Sequence, residues 1–205
     1  MKIPRQICIA VLIAAGCSDR PKAIATPDVD PEGAAASAIE EFDRDSDGRL
    51  AKDELSAAPM LASVVPQYDK NGDGALDADE IASGIGTWEE TGVAVRPVPF
   101  MVTLNGRPLS GATIRFVPAG FLNDAIKGAT GETGPGGGGH LAIAREDLPP
   151  NSPNMPLVQP GFYRVEITHP KAKIPAKYNT QSTLGIEITS GNPGPEGAKW
   201  ALETK

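Results

Sequence analysis

From residue 92 onward, short apolar runs recur between clusters of Gly, Pro, Asn and Asp. The runs at 99–104, 112–117, 140–144, 161–168, 184–189 and 199–203 are rich in β-branched and aromatic residues, as strands bounded by turns are. Within 162–167, Tyr163, Val165 and Ile167 fall on one side, the period-two signature of a half-buried strand. Six such runs predict an antiparallel β-sandwich over 92–205. Asn105-Gly106 marks a tight hairpin turn. The glycine-rich stretch 128–139 has too few triplets and too little proline for a collagen helix. It is expected to be a flexible hairpin loop between two strands.

The chain before residue 91 follows another rhythm. Residues 33–42 are strong helix formers with Pro31 near their start, and 77–83 read as a short helix ended by Gly84 and Gly86. Pro59 and Pro66 interrupt 55–68, so no long helix fits there. The whole is expected to be an α + β multidomain chain. A small helical pair occupies 33–90 and the sandwich 92–205, the two differing sharply in charge and periodicity.

Two twelve-residue stretches inside the helical part share one pattern: DRDSDGRLAKDE from Asp43 to Glu54, and DKNGDGALDADE from Asp69 to Glu80. Calcium takes six to eight oxygens, and a loop of this length supplies them from positions one, three, five, seven, nine and twelve, with glycine at six for a sharp turn. Those positions hold Asp43, Asp45, Asp47, the carbonyl of Arg49, a water in place of the Ala51 side chain, and Glu54. In the second stretch they hold Asp69, Asn71, Asp73, the carbonyl of Ala75, Asp77 and Glu80, and the glycines are Gly48 and Gly74. Glutamate at position twelve can offer both oxygens, completing a shell that suits calcium better than the smaller, water-retaining magnesium. Leu50 and Leu76 at position eight are expected to pair across a two-residue ladder. The pattern resembles a pair of EF-hands and predicts two Ca2+ sites.

Charge agrees with that placement. The chain carries a net charge of −7, yet residues 31–90 contain 15 acids and 4 bases, and the remainder is net positive. Phosphate recognition needs a basic stripe, so nucleic acid is excluded as a partner. Clustered carboxylates repel one another without a cation, which couples metal binding to folding of the pair.

The N-terminus reads MKIPRQICIAVLIAAGC. A positive start, a short apolar run and small residues before a cysteine resemble a bacterial lipoprotein signal. The resemblance implies cleavage after residue 16, lipidation of Cys17, and a membrane-anchored position in the cell envelope, periplasmic or surface-exposed. The run is too short for a mature membrane span. Residues 17–32 are proline-rich and would serve as a tether. The only other cysteine, Cys8, would leave with the leader, so no disulfide framework is expected.

Three stretches, VTLNGRPLSGATIRFVP from Val102, PGFYRVEI from Pro160 and IPAKYN from Ile174, resemble the carboxypeptidase-regulatory-like or transthyretin-like sandwiches of small bacterial lipoproteins. That resemblance implies a fold and no activity. The C-terminal Tyr-Arg-Gly-Ser of the transthyretin-like hydrolases is missing, and His140 and His169 sit at strand edges without a catalytic constellation. The chain is therefore read as a non-enzymatic, calcium-binding envelope lipoprotein. Two alternatives belong to other classes. One is a calcium-dependent docking or adhesion module on an envelope protein, which the short 26-residue loop spacing favours and the glutamate at position twelve opposes. The other is a glycan- or peptide-binding sandwich using the edge bearing Lys171, Lys173 and Lys177.

Overall fold

The computed structural model describes residues 24–204. The expected leader 1–16, Cys17 and tether residues 18–23 lie outside the described residues. Helix α1 (Pro31–Phe42) leads into the first loop, whose strand β1 (Arg49–Leu50) precedes α2 (Lys52–Leu55). Two further short helices, α3 (Pro59–Ala62) and α4 (Val65–Tyr68), carry the chain to the second loop, with proline in the first turn of each. Proline suits that position, where its missing N–H has no helical partner. The second loop holds β2 (Leu76–Asp77) and runs into α5 (Ala78–Glu90). That helix continues through Gly84 and Gly86 instead of ending there. Among the described residues, no helix is long and apolar enough to cross a membrane.

The rest is one eight-stranded sheet: β3 (Val98–Leu104), β4 (Arg107–Pro108), β5 (Thr113–Pro118), β6 (Ala129–Glu132), β7 (Gly138–Ile143), β8 (Gly161–Thr168), β9 (Gly185–Ile188) and β10 (Ala198–Leu202). Its order is β10-β3-β7-β6-β5-β8-β9, with β4 pairing β3 through the Asn105-Gly106 hairpin. All pairings are antiparallel except β10 with β3. The fold is α + β, as expected.

The sheet is strongly curled. β10 and β5 are four strand steps apart, which in a flat sheet would separate them by about 19 Å. Yet the rings of Trp200 on β10 and Phe116 on β5 lie 6.0 Å apart, centroid to centroid. The bend runs through β7, whose first half pairs β3 and whose second half pairs β6. The expected two layers of a sandwich are thus opposite ends of one curled antiparallel sheet, a half-barrel. Glycines make the bend possible. A Cβ at Gly131 would lie 2.7 Å from Cε1 of Phe100, and one at Gly139 would lie 2.6 Å from its Cζ. The glycine-rich stretch forms a hairpin, but much of it is strand packed around Phe100 and not a flexible loop.

Inside the curl sit Phe116, Tyr163, Val165 and Ile167, the last three being the face that alternation singled out. Phe162 points to the opposite face and is equally buried. There its ring meets Tyr68, Trp88 and Phe121 at centroid distances of 5.9, 5.2 and 5.9 Å. Phe42 at the end of α1 closes on Phe121 at 6.4 Å. On β9, Gly185 admits the backbone of Pro59 and Met60, where any Cβ would strike it. The charge boundary near residue 91 is therefore crossed by packing, and helices and sheet share one continuous hydrophobic core.

Candidate metal centre

Each loop is held by its own carboxylates. In the first, Asp43 accepts from the N–H groups of Ser46 (2.6 Å) and Gly48 (2.9 Å), Asp45 from Asp47 N–H (3.2 Å), and Asp47 from Arg49 N–H (2.9 Å). In the second, Asp69 accepts from Gly72 (2.6 Å) and Gly74 (2.9 Å), Asn71 from Asp73 (2.8 Å), and Asp73 from Ala75 (2.9 Å). Position for position, the two nets are the same. Both chains turn through left-handed backbone at positions four and six, at Ser46 and Gly48 and at Gly72 and Gly74. Glycine takes that conformation without a steric penalty; Ser46 takes it without that freedom.

The glutamates at position twelve close each loop. Glu54 Oε1 accepts from Arg44 N–H (2.7 Å) and Oε2 from Ala51 N–H (2.9 Å). Glu80 Oε1 accepts from Lys70 N–H (2.8 Å) and Asn71 N–H (3.3 Å), and Oε2 from Asp77 N–H (3.2 Å). Both carboxyl groups are covered from solvent. Asp77, the expected position-nine oxygen, also accepts from Glu80 N–H at 2.8 Å and so caps α5. Of the position-seven carbonyl candidates, Arg49 lies in the ladder that joins the loops and Ala75 directly precedes it. There Leu50 pairs with Leu76 and Arg49 with Asp77, and both leucines are fully buried.

The electrostatics differ between the loops. The Asp43, Asp45 and Asp47 carboxylates converge, with one oxygen of each within 4.8 Å of the others. The Asp47 N–H lowers the pKa of Asp45, but the Asp47 charge, burial, Glu54 and Asp43 together raise it above the usual aspartate value. Glu54 is held lower by the N–H groups of Arg44 and then Ala51. Asp73 is held lower chiefly by the Ala75 N–H, with the Arg49 guanidinium and the Asn71 side chain adding to it. Arg49 reaches the position-five carboxylates of both loops, Asp47 at 3.4 Å and Asp73 at 3.1 Å. A ring of oxygens with no nitrogen or sulfur donor fits a hard cation such as calcium.

A buried polar cluster beside the second loop is not legible in the sequence. Glu187 on β9, 6 % exposed, accepts at Oε1 from Tyr68 Oη (2.6 Å) and Trp88 Nε1 (2.7 Å). Burial pushes its pKa up, against the lowering effect of those two donors. The only signal in the sequence is a lone acid between Ile186 and Ile188. The histidines lie elsewhere. His140 is exposed on β7, and His169 ties a turn, its Nε2 meeting Ser110 O at 2.9 Å and its Nδ1 accepting from Lys171 and Ala172 N–H. Lys171, Lys173 and Lys177 lie in the β8–β9 connection, with Lys177 Nζ 5.0 Å from the Tyr178 ring centroid.

A family model described as EF hand matches residues 67–84, which hold the end of α4, the second loop and the first half of α5. No curated protein and no solved structure matches the chain.

Proposed function

We propose that this chain is a calcium-binding, non-enzymatic lipoprotein of the cell envelope, anchored through Cys17, in which calcium orders both loops 43–54 and 69–80. The observation that carries this reading is the duplicated net, in which equivalent carboxylates of both loops accept the same sequence of backbone N–H groups. The first ion would take Asp43, Asp45, Asp47, the Arg49 carbonyl and Glu54. The second would take Asp69, Asn71, Asp73, the Ala75 carbonyl, Asp77 and Glu80. Extracellular sites of this kind are filled at affinities of about 10⁻⁴–10⁻³ M. Such an affinity suits a structural ion in a calcium-rich compartment.

The burial of the helical pair supports a structural role over a sensor role. Sensor EF-hands open an apolar groove on binding, whereas here Tyr68 and Trp88 are already spent on Phe162 of the sheet. The likeness of the sheet to carboxypeptidase-regulatory-like sandwiches belongs to the same proposal. Calorimetric titration tests it: two ions per chain in the wild type, with Glu54→Gln abolishing or greatly weakening the first and Glu80→Gln the second. No heat of binding at millimolar calcium would overturn the calcium reading. Fatty-acid labelling that persists in Cys17→Ser would overturn the anchor.

A further inference from the structure

Tyr68 is the last residue of α4 and directly precedes Asp69, position one of the second loop. Trp88 lies on α5, eight residues beyond Glu80 at position twelve, or about 12 Å along the axis. The two helices that enter and leave the loop thus each send one aromatic donor to the same oxygen, Oε1 of Glu187. That oxygen belongs to β9, more than a hundred residues from the loop's first ligand. Both rings also stack edge-on against Phe162 of the neighbouring strand β8. Two donors from the helices thus meet at one buried carboxyl, and Phe162 packs against both of their rings.

The geometry points to Glu187 as a positioning residue of the second calcium site: it fixes the angle between α4 and α5, and with it the separation of Asp69 from Glu80. The inference rests on the calcium reading above. A cleft of about 290 Å³ is lined by residues that include both Glu187 and Glu80. No hydrogen bond joins them; the connection between them runs through Tyr68 and Trp88. Among the described residues, the first loop has no equivalent clamp. Phe42, which stands where Tyr68 does, has no hydroxyl and packs on Phe121. The two sites therefore differ in how the rest of the fold holds them.

The amide signals of Gly48 and Gly74, at position six of each loop, report each site separately in a calcium titration of the full chain followed by NMR. Partners hydrogen-bonded directly to metal ligands contribute about 10- to 100-fold to affinity, and Glu187, acting one step removed through Tyr68 and Trp88, belongs at the low end of that range. Glu187→Ala is accordingly expected to move the Gly74 midpoint to about tenfold higher calcium and the Gly48 midpoint by much less. Glu187→Gln, whose amide oxygen still accepts both donors, keeps the Gly74 midpoint. Tyr68→Phe, a milder change that removes one donor and keeps the ring, moves it about threefold. General loss of stability would shift both glycines together and would not be rescued by glutamine. Wild-type-like Gly74 midpoints in Glu187→Ala, or in Tyr68→Phe should the alanine variant not fold, overturn the inference. Equal shifts at both glycines also overturn it. A wild type whose glycines do not respond to calcium overturns the calcium reading itself, and the positioning role with it.

Discussion

Two glycines two residues apart on α5 should respond to alanine in opposite directions. A Cβ at Gly86 meets nothing within 4 Å, so alanine there removes only the conformational freedom of an unfolded glycine and gains about 1 kcal/mol. At Gly84 the same helix preference applies, but the new Cβ would overlap Cε2 and Cζ of Tyr68 and lie 2.6 Å from its Cδ2. The ring is tied at two points. Its hydroxyl is bound to Glu187 and its ring packs edge-to-face with Phe162. Overpacking of this kind costs about 1–3 kcal/mol, and a ring that swings away leaves Glu187 short of a donor, at about 1–3 kcal/mol more. After subtracting the helix gain, Gly84→Ala is expected to destabilise by about 1–5 kcal/mol. In a chain of this size each kcal/mol moves the midpoint by about 2–4 °C, so thermal melts followed by far-ultraviolet circular dichroism at saturating calcium will separate the two variants. A Gly84→Ala protein that melts at or above the wild type would refute the claim that glycine is there to admit Tyr68.

Other outcomes follow from the same contacts. Arg49→Ala removes a positive charge from beside Asp47 and Asp73 and is expected to tighten calcium binding roughly two- to fivefold at low salt, an effect that fades with added salt; weaker binding in calorimetry would contradict it. Leu76→Ala, at a fully buried ladder position, should cost about 2–5 kcal/mol in urea unfolding and loosen both loops, so a loss under 1 kcal/mol would count against the ladder as their coupling. Glu187 has its folded pKa raised by burial from an ordinary 4.5, so its protonated form favours the folded state and that contribution is lost as pH climbs from about 4.5 through the folded value. Glu187→Gln should therefore gain on the wild type in melting temperature as pH rises through this window, and a difference that is flat with pH would dispose of the argument. A fragment of residues 92–204 uncovers Phe162 and should bind a hydrophobic dye that the whole chain does not; equal dye binding would show that the helices are not its cover.

The metal loops were legible because their chemistry is local. Within each loop the liganding positions, the turn glycine and the apolar position eight lie inside twelve residues, where spacing alone dictates geometry, and the Leu50–Leu76 pairing follows from their equivalent places in the two loops. Most strands were legible too, with 161–168 matching β8 at both ends. β6 was not, because Thr130 and Gly131 sit in a run whose glycines imitate a linker while serving the close approach of Phe100. Gly84 and Gly86 read as a helix end for the same reason: composition does not say whether a glycine frees the backbone or makes room for a ring. Phe162 breaks the one-sided alternation of its strand, and only the helices packed above it explain why. The Glu187 clamp depends on residues 99 and 119 positions away, a distance no local pattern spans.

The aromatic cluster around Phe162 has a consequence for how the whole chain resists proteolysis. A ligand that binds only the folded form stabilises it by about 2.7 kcal/mol at a hundred times its dissociation constant. With one continuous core beneath both parts, that gain extends beyond the loops: the sheet opens less often whenever the loops are filled. Proteases cut chains during such openings, at rates that follow the open population when reclosing is fast. The ambient calcium concentration would then set the working lifetime of strands that never touch the ion, and a fall in calcium would mark the entire molecule for turnover.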